Sequence, residues 1–322
     1  MKNAIRVPAA GSQPSSMEKL PGTFLRVALT AVLLWLAFRH ADWSRIGAGL
    51  AHMQAIWFAS AIVVLAFQLG LAAQRWRWIA LGCGATVSTA SALRYIFISQ
   101  FFSQTLPATI GADGARIWYL GRDTGDWKPA FYSVFIDRGI GGLALGILVV
   151  AILPGAFSKI QDPAGRLSLL IAGSSCLVAL AAVMMIGSLP WLDRWAATRH
   201  VRTIAVTGGK LFGDSATAAK ITITSIAIHL FSVLAIWCIA QALTAPLTAT
   251  GAIFLVPPVM LITMVPISVA GWGVRESAMI AALGYAGIGN SQGLLISLLF
   301  GAAGFVLGLA GGGVWIAQRR KD

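Results

Sequence analysis

Charge is what this sequence has least of. Asp, Glu, Lys and Arg supply 11% of its 322 residues, where a soluble protein carries about a quarter. The shortage is sharpest in acids, with 11 Asp and Glu against 24 Lys and Arg. An ordinary soluble domain is thereby excluded. Cysteine is also rare: Cys83, Cys176 and Cys238 stand far apart, which excludes a disulfide framework and a cysteine-based metal site. No Ser-His-Asp set or metal-ligand spacing emerges, and the segment GGKLFGDS from Gly208 lacks the spacing of a phosphate loop. Neither a metal nor a cofactor is expected. No small-x-small cleavage site follows the first apolar stretch, Gly22 to Phe38, which reads as an uncleaved first helix.

What is abundant is apolar sequence, 57% of the chain, with a mean hydropathy of +0.79. Six segments approach the roughly 20 apolar residues that cross a hydrocarbon core. They lie at about 22 to 38, 54 to 73, 130 to 153, 167 to 188, 218 to 243 and 293 to 316. The expected fold is an all-α polytopic membrane protein, with one transmembrane domain over residues 22–317 between a disordered tail, 1–21, and a basic tail, 318–322. The net charge of +13 falls in short segments between apolar runs, where it reads as topology signals and anionic-lipid contacts rather than a nucleic-acid surface.

Two further apolar segments, 89–120 and 248–288, carry a repeat. Leu106 to Arg116 reads LPATIGADGAR and Val265 to Arg275 reads VPISVAGWGVR, sharing Pro-x6-Gly-x-Arg at a separation of 159 residues. Proline, glycine and arginine are costly inside lipid, so their recurrence suggests a duplicated polar site. If both segments enter and return on the same side, the loops divide 14 Lys and Arg against four; if both cross, the split is ten against eight. The positive-inside rule favours the first arrangement, with both termini in the cytoplasm. Three crossings then separate the segments, which makes them an inverted repeat of re-entrant or broken helices, as in many secondary transporters.

Within the repeat, Pro107, Gly111 and Gly114, and again Pro266, Gly271 and Gly273, are the expected helix breaks. A half-helix starting near Ala112 or Asp113, matched by one after Gly273, would turn free amides and a positive dipole end inward. Arg116 and Arg275 would add permanent charge suited to a phosphate or carboxylate. Asp113, Asp137, Arg138 and Glu276 complete the candidate set: Asp137 pairing with Arg116 or Arg275, and Arg138 with Asp113 or Glu276, as clamp or as substrate contacts. His229 reads as a hydrogen-bonded packing residue. Gly304, Gly308 and Gly312, like Gly142 and Gly146, read as close helix packing, while Trp76, Trp78, Trp118 and Trp127 read as an aromatic belt beside loops.

RWRWIALG from Arg75, FFSQTLPATIGADGARIWYL from Phe101, IDRGIGGLAL from Ile136 and PISVAGWGVRESA from Pro266 together resemble a flippase-like transmembrane family. That family includes the membrane portion of lysylphosphatidylglycerol synthases, and the resemblance covers about residues 22 to 317. It implies handling of an anionic lipid, such as aminoacylated phosphatidylglycerol or a polyprenyl-phosphate carrier, across a prokaryotic cytoplasmic membrane. The matching positions are Pro107, Gly111, Asp113, Arg116, Asp137, Arg138, Pro266, Gly273, Arg275 and Glu276. The two-domain synthases carry a soluble acyltransferase-like domain after the membrane part, whereas this sequence runs to Asp322 in a basic tail, so aminoacyl transfer by this chain alone is not expected.

The leading expectation is a non-enzymatic lipid flippase that holds an anionic head group between two broken helices. The alternatives are a membrane transferase using Asp113, Asp137 or Glu276 as general base, and a non-catalytic subunit of an envelope-lipid or glycan synthesis complex. The partners expected are an anionic membrane lipid and, beyond it, a second copy of the chain or an envelope-synthesis protein.

Overall fold

The computed structural model describes residues 20–39, 41–105, 108–189, 194, 196–264 and 272–319. Pro107, Pro266 and Gly271 lie outside them, as do most of the N-terminal tail and residues 320–322. The described residues form twelve helices and no strand: α1 (Leu20–Phe38), α2 (Trp43–Ala51), α3 (Ala55–Gly82), α4 (Thr89–Thr105), α5 (Ala108–Thr124), α6 (Trp127–Lys159), α7 (Pro163–Ser188), α8 (Ala196–Leu211), α9 (Ser215–Ala242), α10 (Ala249–Thr263), α11 (Val274–Gly284) and α12 (Asn290–Arg319). Among these residues α3, α6, α9 and α12 are long and apolar enough to span a bilayer, and α1 and α7 coincide with the two other expected crossings. Their outer faces carry large exposed apolar side chains, among them Val63, Phe67, Ile223 and Phe305. The chain is a multi-pass membrane protein.

The few acids explain where helices begin. Asp42, Asp126, Asp162 and Asp214 cap α2, α6, α7 and α9, each accepting from a backbone N–H of the first turn. Such caps satisfy amides that a helix leaves free at its start. Thr248 does the same for α10. Of the remaining described acids, Asp113, Asp137 and Glu276 pair with arginines and Asp123 accepts from the Tyr95 hydroxyl. No described carboxylate is idle.

The duplication is far larger than the Pro-x6-Gly-x-Arg motif. α3 and α9 are both 28 residues long and start 160 positions apart; α4 and α10 start, and α6 and α12 end, at the same separation. Even the turns match. Ala85 N–H reaches the Ala80 carbonyl at 2.9 Å and Ala245 N–H the Ala240 carbonyl at 2.9 Å, closing both helices with the same left-handed residue. That residue is Gly84 in the first copy, at φ +92°, and Thr244 in the second, at φ +50°.

The two copies are antiparallel. Gln68 Nε2 donates to Ser232 Oγ at 2.7 Å and Arg75 Nη1 to Ser225 Oγ at 3.2 Å, so ascending α3 means descending α9. Gln54 N–H at the foot of α3 meets the Ala242 carbonyl at the far end of α9. Both side-chain contacts are centred on Gly70 and its counterpart Leu230, which places a pseudo-two-fold axis there.

The axis also interlocks the halves. α4 packs along α12, and its counterpart α10 along α6. A glycine ridge on α12 makes the first contact intimate: Gly308 lies under Gln104 and the Gln100 carbonyl, Gly312 under the Phe101 ring, and Gly311 against the Phe97 carbonyl. In the second contact Gly155 lies under the Phe254 ring. Each repeat segment is a pair of helices packed on one another, α4 with α5 and α10 with α11. In the first pair Tyr95 stacks on Tyr119, as an antiparallel hairpin requires.

Two loops hold helices that the sequence reading leaves out, α2 and α8. Arg75 and Trp76, expected in a loop and its aromatic belt, instead lie inside α3, which continues to Gly82. Trp76 is fully buried and donates to Ser133 Oγ.

Candidate functional site

The two breaks differ. α5 begins at Ala108, a full turn before the expected start at Ala112 or Asp113, so Gly111 and Gly114 are helix-interior residues rather than the break itself. Its 17 residues equal those of α4. Arg116 is therefore the ninth residue of its helix, about 12 Å from the start at 1.5 Å per residue. α11 begins at Val274, directly after Gly273 at φ +82°, and Arg275 is in its first turn. Here the glycine is required twice over, because a Cβ would also lie 2.6 Å from Leu33 Cβ of α1. Gly273→Ala should cost about 1–3 kcal/mol from backbone strain alone, measured as a drop in thermal midpoint in detergent; Gly114→Ala, inside α5 with nothing within 4 Å, is the comparison and should be neutral or slightly stabilising.

Around Arg116 the charges close on each other. Asp137 Oδ1 accepts from Arg75 Nε at 2.8 Å and Oδ2 from Arg116 Nη1 at 2.9 Å. Arg116 Nη2 donates to Asp113 Oδ1 at 2.7 Å, and Arg138 Nε reaches both Asp113 oxygens at 3.0 Å. Both pairings expected from the sequence, Asp137 with Arg116 and Arg138 with Asp113, are present. Arg75 is the member that sequence reasoning missed. Three guanidinium groups over two carboxylates leave the cluster one positive charge, and it ties α3, α5 and α6 to Ser225 of α9. Arg116 is enclosed, with its guanidinium over the Trp76 ring.

Around Arg275 the arrangement is open. Arg275 Nη2 and Nε donate to Glu276 Oε1 at 2.7 and 3.0 Å, and Nε also reaches Ser297 Oγ at 3.3 Å. Glu276 is fully buried, and its Oε2 accepts from Gly273 N–H at 2.6 Å, so one carboxylate fixes both the arginine and the helix start. Trp272 flanks the guanidinium at 4.9 Å. Arg275 Nη1 makes no hydrogen bond among the described residues. The side chain borders a cavity of about 300 Å³ whose wall combines the neutral polar side chains of Gln68, Gln100, Ser103 and Gln104 with the apolar ones of Leu65, Leu69, Phe300 and Leu307. The polar residues were also missed, although Gln100 and Gln104, one helical turn apart in an apolar segment, are a readable signal.

Among the described residues the symmetry explains why the corresponding place in the first copy is filled. Ser297 and Gly301 on α12 are the counterparts of Asp137 and Gly141 on α6, 160 positions on. A guanidinium crosses the glycine in both copies, but Arg275 of α11 does so at Gly301, whereas Arg75 of α3 does so at Gly141. Arg75 has Ala235 as its counterpart. In the first copy His229 also bonds to the Gly141 carbonyl at 2.9 Å, the packing role expected of it, and Met264 sits against Gly142. One copy of the pocket is thus filled by a structural ion pair and the other is left as space. Among the described residues no hydrogen bond or ion pair joins Arg116 to Arg275.

An inverted pair of two-helix units, with buried ion pairs on one side and a cavity on the other, defines an integral-membrane helical bundle. The family model for the lysylphosphatidylglycerol synthase TM region matches residues 23–312. The chain belongs to that family. No curated protein matches it.

Proposed function

We propose that this protein is a lipid transporter of the flippase type, in which the Arg275 cavity receives an anionic lipid head group while the acyl chains stay in the bilayer. The observation that carries this reading is a guanidinium with a spare N–H group, anchored from behind by Glu276 and presented at a helix start to a cavity that Gln68, Gln100, Ser103 and Gln104 also line. Arginine in that setting matches a phosphate oxygen geometrically as well as electrostatically. Arg116, by contrast, is occupied by two carboxylates, and its role in this reading is to hold the first hairpin to the bundle.

In the same reading the α4–α5 and α10–α11 pairs are re-entrant, entering from opposite faces of the cytoplasmic membrane with both chain termini in the cytoplasm. The pseudo-two-fold axis supports it, because exchange of access between faces needs two related half-structures. Asp113, Asp137 and Glu276 are each engaged by guanidinium groups, which favours binding over proton abstraction.

Arg275→Gln strands the buried Glu276 carboxylate with only an amide donor and should lower stability, and its folded fraction should no longer move labelled anionic lipid between leaflets of proteoliposomes. Removing a charge-assisted contact of this kind costs about 1.5–3 kcal/mol, or roughly ten- to a hundredfold in affinity. Wild-type translocation by the folded variant would overturn the proposal.

A further inference from the structure

A second cavity, of about 370 Å³, lies at the opposite end of the α3–α9 pair from Gln54 and Ala242, where the last turn of α3 meets the turn between α8 and α9. Trp78, Leu81 and Leu211 form its apolar wall, and Lys210 and Lys220 its basic one. Neither ammonium group makes a hydrogen bond or ion pair among the described residues. Asp214, the one acid on the wall, caps α9, with its Oδ2 accepting from Thr217 N–H at 3.0 Å. Two lysines against one carboxylate leave the wall a single positive charge, and the low-dielectric surface beside it strengthens the pull on an anion.

The pseudo-two-fold axis shows how the same place looks when it serves packing alone. At the counterpart positions, 160 residues away, the two helix ends are joined directly, Gln54 N–H to the Ala242 carbonyl at 2.9 Å. Thr217 is matched there by Trp57, whose ring lies edge-on to Trp237 at 5.5 Å, and Lys210 and Lys220 are matched by Leu50 and Ser60. At these positions one end of the pair is closed and uncharged, and the other is open and basic. Space and charge differ together, which packing by itself does not require.

We infer that this cavity is a second anion site, which receives a phosphate group at the membrane surface independently of Arg275. Lysine engages phosphate as a point charge, without the planar two-pronged geometry through which arginine selects a carboxylate. Lys210 on α8 and Lys220 on α9 approach the group from two helices, and Trp78 and Leu81 of α3 face its apolar side. The start of α9 takes no part, because Asp214 already fills it, so the GGKLFGDS turn supplies a basic wall rather than a phosphate loop. Two sources carry such a group: a phospholipid of the adjoining leaflet and a phosphate compound in solution.

Lysine acetylation by a water-soluble reagent, resolved by peptide mass spectrometry of the full chain, tests the inference. Protein in an uncharged, phosphate-free maltoside detergent gives the baseline; phosphatidylglycerol in the micelle or millimolar inorganic phosphate in solution supplies the probe. Lys210 and Lys220 should react about tenfold more slowly in at least one arm, the worth of a charge-assisted contact, while exposed Lys128 of α6, outside the cavity, keeps its rate. Protection by phosphatidylglycerol alone assigns a lipid phosphate, and protection by inorganic phosphate shows that a soluble one suffices. Lys210→Leu and Lys220→Ser, each the residue of the other copy, should abolish protection of the remaining lysine. Thr217→Trp keeps both charges but fills the space, and should abolish it at both. Folded Arg275→Gln should leave it unchanged, so this site and the Arg275 reading fail separately. No protection in either arm, equal slowing of Lys128, protection that persists in a lysine variant or in folded Thr217→Trp, or its loss in Arg275→Gln would overturn the inference.

Discussion

Asp137→Asn should be the most destabilising conservative substitution in the molecule, costing about 3–5 kcal/mol. The carboxylate neutralises Arg75 on one oxygen and Arg116 on the other, and all three side chains are less than a tenth exposed. Replacing it with an amide leaves three guanidinium groups facing Asp113 alone. It also places an amide nitrogen, itself a donor, against one of two arginines that can only donate. Removing one partner of a buried pair costs more than the pair contributes, because the remaining charge keeps its desolvation penalty. Arg138→Gln is the comparison: that side chain is 41% exposed, so its pairing with Asp113 is worth about 1 kcal/mol or less. Unfolding of both variants in detergent measures the difference. An Asp137→Asn protein within about 1 kcal/mol of the parent would show that Arg75 and Arg116 find other partners and that the cluster is no clamp.

Gly311→Ala should come second, at about 3 kcal/mol, the upper end for overpacking a close-fitted site. A Cβ on Gly311 would fall on the carbonyl oxygen of Phe97, and that atom belongs to helix backbone, which no rotamer change can move aside. α4 and α12 must then separate, and with them the wall formed by Gln100 and Gln104. Gly313→Ala, two residues on with nothing within 4 Å, gains helix propensity and should be neutral or slightly stabilising. Lipid retention and thermal midpoint should fall together in the first variant and stay level in the second. A Gly311→Ala protein with an unaltered midpoint would mean that α4 and α12 do not meet along this ridge.

What could be read from the sequence alone depended on distance along the chain. The membrane class, the long helices and the inverted repeat rest on local apolar runs and loop charge, which one sequence displays. The pairs Asp137–Arg116 and Arg138–Asp113 were foreseeable because so few opposite charges exist to choose from. Arg75 was not: in RWRWIALG it looks like a loop cation, and only the α9 surface packed beside it makes a buried position affordable through Ser225 and Asp137. The start of α5 at Ala108 was misjudged for a similar reason. Gly111 and Gly114 weaken an isolated helix by about 1 kcal/mol each, but packing of α5 on α4 and α6 outweighs that preference. The extent of the repeat beyond the Pro-x6-Gly-x-Arg segments escaped notice because its copies share helix lengths and turn geometry more than residue identities; Thr244 standing where Gly84 does is the plainest case.

The interlocking of α4 with α12 has a consequence for how the chain is made. The ridge that covers α4 belongs to a helix starting at Asn290, 185 positions after α4 ends at Thr105. During synthesis the first hairpin therefore emerges with its partner surface still untranslated, and the groove lined by Phe97, Phe101 and Gln104 must wait in lipid or on an insertion factor until the last helix arrives. The second hairpin faces no such delay, since α6 precedes α10. Assembly of this membrane domain is completed by its last helix, and a ribosome stalled before Asn290 would leave the first half inserted but its α4 unlatched.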